Sequence, residues 1–150
     1  MKEFKGRIIA SRDWQGEAIV SNQKVNMMAT YYMSAYKNAK NVSCSDEANT
    51  DLYGKNLTGK ALCLPCATAS NVTGLIIETI CQLQIGPAAY LFSEHIDEVS
   101  ASGIVLAKVW EDSDVICIDN LGEEFLEAVK TGDEIEIKAN GTVIIKDKNE

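Results

Sequence analysis

Residues 62–80 bring together the groups best able to do chemistry: Cys63-Leu64-Pro65-Cys66, then Ser70 and Asn71 in a small polar turn, then a segment with a helical apolar stripe. A serine at such a turn has two readings that its spacing leaves open. Its hydroxyl can cap an orphan backbone N–H, or it can face a substrate and exchange a proton with it. The turn's N–H groups and the positive end of the helix dipole suit a carboxylate or phosphate. Strand, turn and helix meet this way in every α/β domain, so the corner alone establishes no site. Cys63 and Cys66 have the C-x-x-C spacing of redox pairs and of half a zinc site. No second pair accompanies them, His95 is the only histidine, and Cys63 falls within a predicted strand, so no metal or redox role is assigned. His95 itself could be a ligand or an acid, but a lone histidine at a loop–helix junction is more often a surface or capping residue. Glu17, Glu78, Asp97 and Asp119 lie near element ends or helix faces and are expected to be solvated, with Asp97 capping a helix.

These groups need elements to position them. Ala61 to Leu64 is an apolar strand that Pro65 must end, since it has no N–H for the ladder. Val72, Leu75, Ile76, Ile80 and Leu83 recur at helical steps, with Ser70, Asn71 or Thr73 as candidate N-cap. Upstream, Phe4 to Ile9 and Gly16 to Ser21 read as strands of a hairpin or meander. Val25 to Tyr36, rich in Met and Tyr, is too irregular for a helix or a strand and reads as a hydrophobic flap or a contact surface. Residues 37–60 are a polar, turn-rich loop, a class that is usually functional or mobile. Downstream, Ala88 to Phe92 is a buried strand parallel to the first. A helix with Val99, Ile104, Val105 and Val109 on its apolar face follows, beginning at Ser93 or Asp97, and then a core strand from Val115 to Ile118. A short helix from Glu123 to Lys130 leads into a hairpin of strands 133–138 and 142–146 joined at Asn140-Gly141.

Composition fits one α/β domain, residues 1–150, with a mixed sheet and flanking helices. With 46% hydrophobic residues the chain can bury a core without a disulfide or metal. Fourteen Lys and Arg against 22 Asp and Glu give a net charge of −8, which argues against nucleic acid and anionic membrane as partners. Neither a secretory leader nor a membrane span is legible, so a cytoplasmic location is expected, with the five cysteines reduced.

Pro65-Cys66-Ala67-Thr68-Ala69-Ser70-Asn71-Val72-Thr73-Gly74, preceded by Gly59-Lys60-Ala61-Leu62-Cys63-Leu64, resembles the signature of the small, swivel-domain subunit of the aconitase X family. That signature is a Gly-Lys or Gly-Arg strand, a proline, a Gly/Ser/Thr-rich loop and a helix. The likeness continues through Gly86-Pro87-Ala88-Ala89, residues 96–107, and Leu121-Gly122-Glu123-Glu124-Phe125-Leu126. It implies the swivelling β/β/α domain of aconitase-like dehydratases, encoded here as a separate small subunit that acts only with a large subunit. Any iron–sulfur cluster or metal would then lie on that partner, and none of the five cysteines would bind it. The implied activity is a hydro-lyase reaction on a small hydroxy acid, with Ser70 as the catalytic base and Thr68, Ala69 and Asn71 binding substrate. The bacterial-type subunits resembled here are those of cis-3-hydroxy-L-proline dehydratases. The archaeal phosphomevalonate dehydratases instead carry a Gly-Gly-Arg-Gly and polyserine loop, and this loop has no arginine. Residues 25–36 depart from the aromatic and glycine loop of the family. Outside enzymes, the competing reading is a noncatalytic module that binds a partner through that Met/Tyr stretch.

Overall fold

A computed structural model describes residues 1–147. Its elements run β1 (Lys2–Lys5), β2 (Arg7–Ala10), β3 (Trp14–Val20), α1 (Met27–Tyr36), β4 (Ala61–Leu64) and α2 (Thr73–Gln82) in the first half. The second half holds β5 (Ala89–Phe92), α3 (Glu98–Glu111), β6 (Ile116–Asp119), α4 (Glu123–Ala128), β7 (Glu134–Ile137) and β8 (Thr142–Ile145). The eight strands form one mixed, nearly closed sheet in the order β1-β8-β7-β3-β4-β5-β6-β2. β3, β4, β5 and β6 pair in parallel, with Leu62 opposite Tyr90 and Tyr90 opposite Cys117. The remaining pairs are antiparallel, including the predicted β7–β8 hairpin, in which Ile135 faces Ile145.

Alternation along the parallel strands divides the interior into two layers. Ile19, Leu62, Leu64, Tyr90, Phe92 and Cys117 point toward the helices, where they pack with Tyr31, Ile77, Ile80 and Ile104. Ala18, Val20, Cys63, Leu91, Ile116 and Ile118 point the other way, against Ile135, Ile137, Val143 and Phe125. Strands with both faces covered read as continuous apolar runs, as β4, β5 and β6 do.

The predicted first hairpin does not form. The run from Phe4 to Ile9 breaks at Gly6: β1 pairs β8, β2 pairs β6, and β3 pairs β7 and β4. A Cβ at Gly6 would lie 2.4 Å from the Asp119 carbonyl oxygen, so only glycine allows the chain to pass over the end of β6. This crossing delivers Arg7 to the C-terminal end of the parallel strands.

Residues 25–36, expected to be irregular, contain helix α1. Asn26 caps it by accepting from the Ala29 N–H at 3.0 Å, and Met27, Thr30, Tyr31 and Ser34 are its buried face. The hydroxyls of Tyr31 and Tyr90 are 2.6 Å apart in the core, which satisfies both. Residues 37–60 are a loop, as predicted, but a packed one: Val42, Cys44, Leu52 and Leu57 are buried. Within that loop the buried Asn49 donates to Ser21 Oγ and accepts from the Asp51 and Leu52 N–H groups.

The apolar faces of α2 and α3 also differ from expectation. Leu75 and Val72 face outward, as do Val105 and Val109. The helices meet instead through small residues: a Cβ added at Gly103 would lie 2.4 Å from the Gly74 carbonyl oxygen, and one at Gly74 2.4 Å from that of Val99. Backbone-to-backbone packing this close leaves no room for the larger side chains that periodicity nominated.

Candidate functional site

The 65–74 corner is built by cross-linking its base and leaving its tip free. After Pro65 the chain is drawn to residue 25: Val25 N–H donates to the Cys66 carbonyl (3.1 Å) and Thr68 N–H to the Val25 carbonyl (2.9 Å). Ala67 is buried in that bridge, and Thr73 Oγ1 donates to the Thr68 carbonyl at 3.4 Å. Thr68, Ala69, Ser70 and Asn71 are exposed.

None of the three predicted caps closes α2. Val72 holds the N-cap position and no side chain caps the helix. Ser70 Oγ comes no nearer than 3.4 Å to the Val72 N–H, too long for a strong bond. Its neighbour α3 is closed as predicted, with Asp97 accepting from the Ser100 N–H at 2.9 Å. Between the two helix starts lies a cleft of ≈ 540 Å³, walled by Ala69, Ser70 and Asn71 on one side and residues 95–99 on the other. Thr68 lies outside it.

Behind His95 stands a cluster with no signal in the sequence. Asp119, expected to be solvated, is fully buried, because Arg7 Nε and Nη2 fork onto its two oxygens at 2.9 and 2.7 Å and the Ile96 N–H donates to it at 2.8 Å. Burial alone would raise this carboxyl; the Arg7 hydrogen bonds, the Ile96 N–H and the charges of Arg7 and His95 outweigh it and hold Asp119 below the ordinary aspartate value. His95 Nε2 is 3.4 Å from Arg7 Nη2, and His95 Nδ1 is 3.8 Å from Asp119 Oδ2 and 3.5 Å from Asn120 Nδ2. A guanidinium N–H and an amide N–H₂ only donate, so the Arg7 contact asks Nε2 to accept while the Asn120 contact asks the same of Nδ1, and a neutral ring, with one acceptor, satisfies one of them.

The other candidates separate from this site. Glu17 is exposed beside Lys60, as expected, whereas Glu78 is buried, because α2 turns it toward α3 rather than to solvent. Burial, then a hydrogen bond and the like charge of Glu111, raise its carboxyl. A second cleft at the same strand ends, ≈ 520 Å³, carries Glu94, Glu123 and Glu127, a lining that repels anions. The Cys63 thiol is buried within the sheet packing and pushed up by that burial; Cys66 is raised by burial and by the charge of Glu94. Both therefore stay protonated, the opposite of a redox pair. Burial pushes Cys81, which packs against the helical layer, up to about 11. Among the described residues no three His, Cys, Asp or Glu side chains converge as metal ligands.

Residues 3–145 match the family described as the aconitase X swivel domain. The chain belongs to that family. Two solved structures share its fold. The crystal structure of Thermococcus kodakaraensis aconitase X in its holo-form matches with a TM-score of 0.81 at 21% identity, covering 98% of this chain and 100% of that one. The solution NMR structure of a UPF0107 protein matches with a TM-score of 0.77 at 22% identity, over 97% and 100% of the two chains. No curated protein matches the chain. The swivel fold expected from the sequence is therefore the fold observed, and membership places the chain in the setting of aconitase-like dehydratases. Among the described residues no helix is long and apolar enough to cross a membrane.

Proposed function

We propose that this chain is the cytoplasmic small subunit of an aconitase X-type hydro-lyase. In this reading the 65–74 corner closes over substrate held by a large subunit, which also carries any iron–sulfur cluster or metal. The observation that carries it is Ser70, exposed on the wall of a cleft beside a helix start that no side chain caps.

The reaction is loss of water from a β-hydroxy acid. The C–H bond α to the carboxylate breaks and its proton passes to the Ser70 alkoxide; the C–O bond to the hydroxyl breaks, and the departing hydroxide takes a proton from an acid on the large subunit to leave as water. The difficult charge is the one that develops on the carboxylate, and preorganised N–H donors stabilise it. Backbone N–H groups of Ala69 and Asn71 and the first turn of α2 supply such donors. A serine hydroxyl is a poor base at neutral pH, so the same donors, with cations on the partner, must favour its alkoxide. Among substrates, cis-3-hydroxy-L-proline suits a loop without arginine. A phosphomevalonate substrate is the second reading, favoured by Arg7, which the fold brings to His95 at the cleft from another part of the chain.

The test is reconstitution with the aconitase X large subunit of the same organism and assay of both substrates. Ser70→Ala is expected to lose on the order of a hundredfold in turnover while the complex still assembles. Near-normal turnover in an assembled mutant complex would remove the base from this chain.

A further inference from the structure

We infer that His95, on the wall of the Ser70 cleft, and Arg7 beside it form a clamp that takes one oxyanion group of the substrate, a carboxylate or a phosphate. The inference rests on that cleft being the substrate cleft. Arg7 is fixed by its fork onto a fully buried carboxylate, yet its own side chain is 50% exposed. Among the described residues its side-chain contacts leave from Nε and Nη2. Asp119 accepts twice from Arg7 and once from the Ile96 N–H, while the imidazole Nδ1 stays 3.8 Å away.

His95 is the member that reaches the cleft, with a side chain 66% exposed. Its Nε2 faces Arg7 Nη2 at 3.4 Å, a weak contact. With an N–H on Nε2, the ring and Arg7 Nη2 present two donors side by side. An oxyanion bridging them converts the pair into two charge-assisted hydrogen bonds. The clamp thus becomes fully satisfied only when an anion arrives. Two carboxylates on the same wall oppose it: Asp97, which is engaged in capping α3, and Glu98, exposed in the first turn. A cation anchored on a buried aspartate is what an anionic substrate needs to enter past them. The neighbouring cleft, with three glutamates and no arginine or lysine in its lining, offers no such place.

Two measurements separate this inference from the reading it rests on. In the reconstituted complex, His95→Leu is expected to raise KM about tenfold or more, the loss of one hydrogen bond to a charged group, with kcat little changed; Ser70→Ala acts on kcat. An unchanged KM in His95→Leu, with Ser70→Ala inactive, overturns the clamp and leaves the serine reading standing. In the full chain alone, the single histidine gives one imidazole signal, which is followed by NMR during titration with inorganic phosphate or malonate, with sodium chloride at equal ionic strength as control. A saturable shift with phosphate alone assigns the clamp to a phosphate, and one with malonate to a carboxylate. A response no larger than that to sodium chloride overturns the clamp whatever Ser70 does.

Discussion

The two strand-to-helix corners that face each other across the cleft are built to opposite rules. α3 begins on Asp97 in extended backbone, with its carboxylate on the Ser100 N–H, Glu98 in the first turn and Lys108 in the last. Each of these complements the helix's own unpaired groups and dipole. α2 begins on Val72, with no side-chain cap, no acid in the first turn and no base in the last. A cap is worth about 1 kcal/mol, so α2 forgoes stability that α3 takes. In the proposed function, a group that satisfied the first-turn N–H groups of α2 would stand in the way of a substrate anion. On that proposal one corner serves the fold and the other is left open for a ligand, the trade expected at a functional site.

Exchange of roles is the sharpest way to break this contrast. Ser70→Ala, with the large loss of turnover expected above, should leave thermal stability at the wild-type value. Asp97→Ala should do the reverse, costing about 1 kcal/mol, which for a chain of this size lowers Tm by roughly 3 °C. Calorimetry and turnover on both variants check the pair; a Tm loss in Ser70→Ala as large as that in Asp97→Ala would make the serine a structural residue. Val72→Asp sharpens the same point with a smaller effect. It places a carboxylate at the positive end of the α2 dipole, and is expected to gain about 0.3–1 kcal/mol while turnover falls. A stabilised variant with full activity would show that the open helix start plays no part in binding.

How much of this was legible follows from which interactions are local. β4, β5, β6 and the β7–β8 hairpin were readable because apolar runs, Pro65 and Asn140-Gly141 act within a few residues. Helix α1 was not, because two of its four buried positions are Thr30 and Ser34, while Tyr32, Met33 and Tyr36 are exposed, so its apolar residues mark no single face. Tyr32 and Tyr36 stack on each other on the outside, ring centroids 5.9 Å apart. The outward Val105 and Val109 misled for the converse reason: glycine contact between α2 and α3 overrides a stripe of larger residues. At the site, the corner and Ser70 could be read, and Asp97 as a cap. The Arg7–Asp119–His95 cluster could not, since it joins residues 112 and 88 positions apart through a strand crossing that depends on Gly6.

The smallest expected effect tests whether α2 departs from stability elsewhere along its length. Glu78, on its buried face, lies against Glu111 of α3 with its carboxyl raised by burial and by that partner. A raised carboxyl means that the folded chain holds this proton to higher pH than the unfolded chain does. Below the ordinary value of 4.5 both states are protonated and Glu78 costs nothing; as pH rises through the raised value, ionisation beside Glu111 draws stability down. Asp119 has the opposite sign: its lowered carboxyl contributes stability above the ordinary value of 3.8, lost as pH falls through the lowered one. Acidification from neutrality should therefore first raise Tm as Glu78 takes up its proton, then lower it as Asp119 does. Glu78→Gln should stabilise the chain at neutral pH by about 0.5 kcal/mol, the scale of a like-charge helix pair, and erase the rise but not the fall. A variant less stable than wild type at neutral pH would mean that the carboxylate is held by its surroundings rather than tolerated, and α2 would then differ from α3 only at its open start.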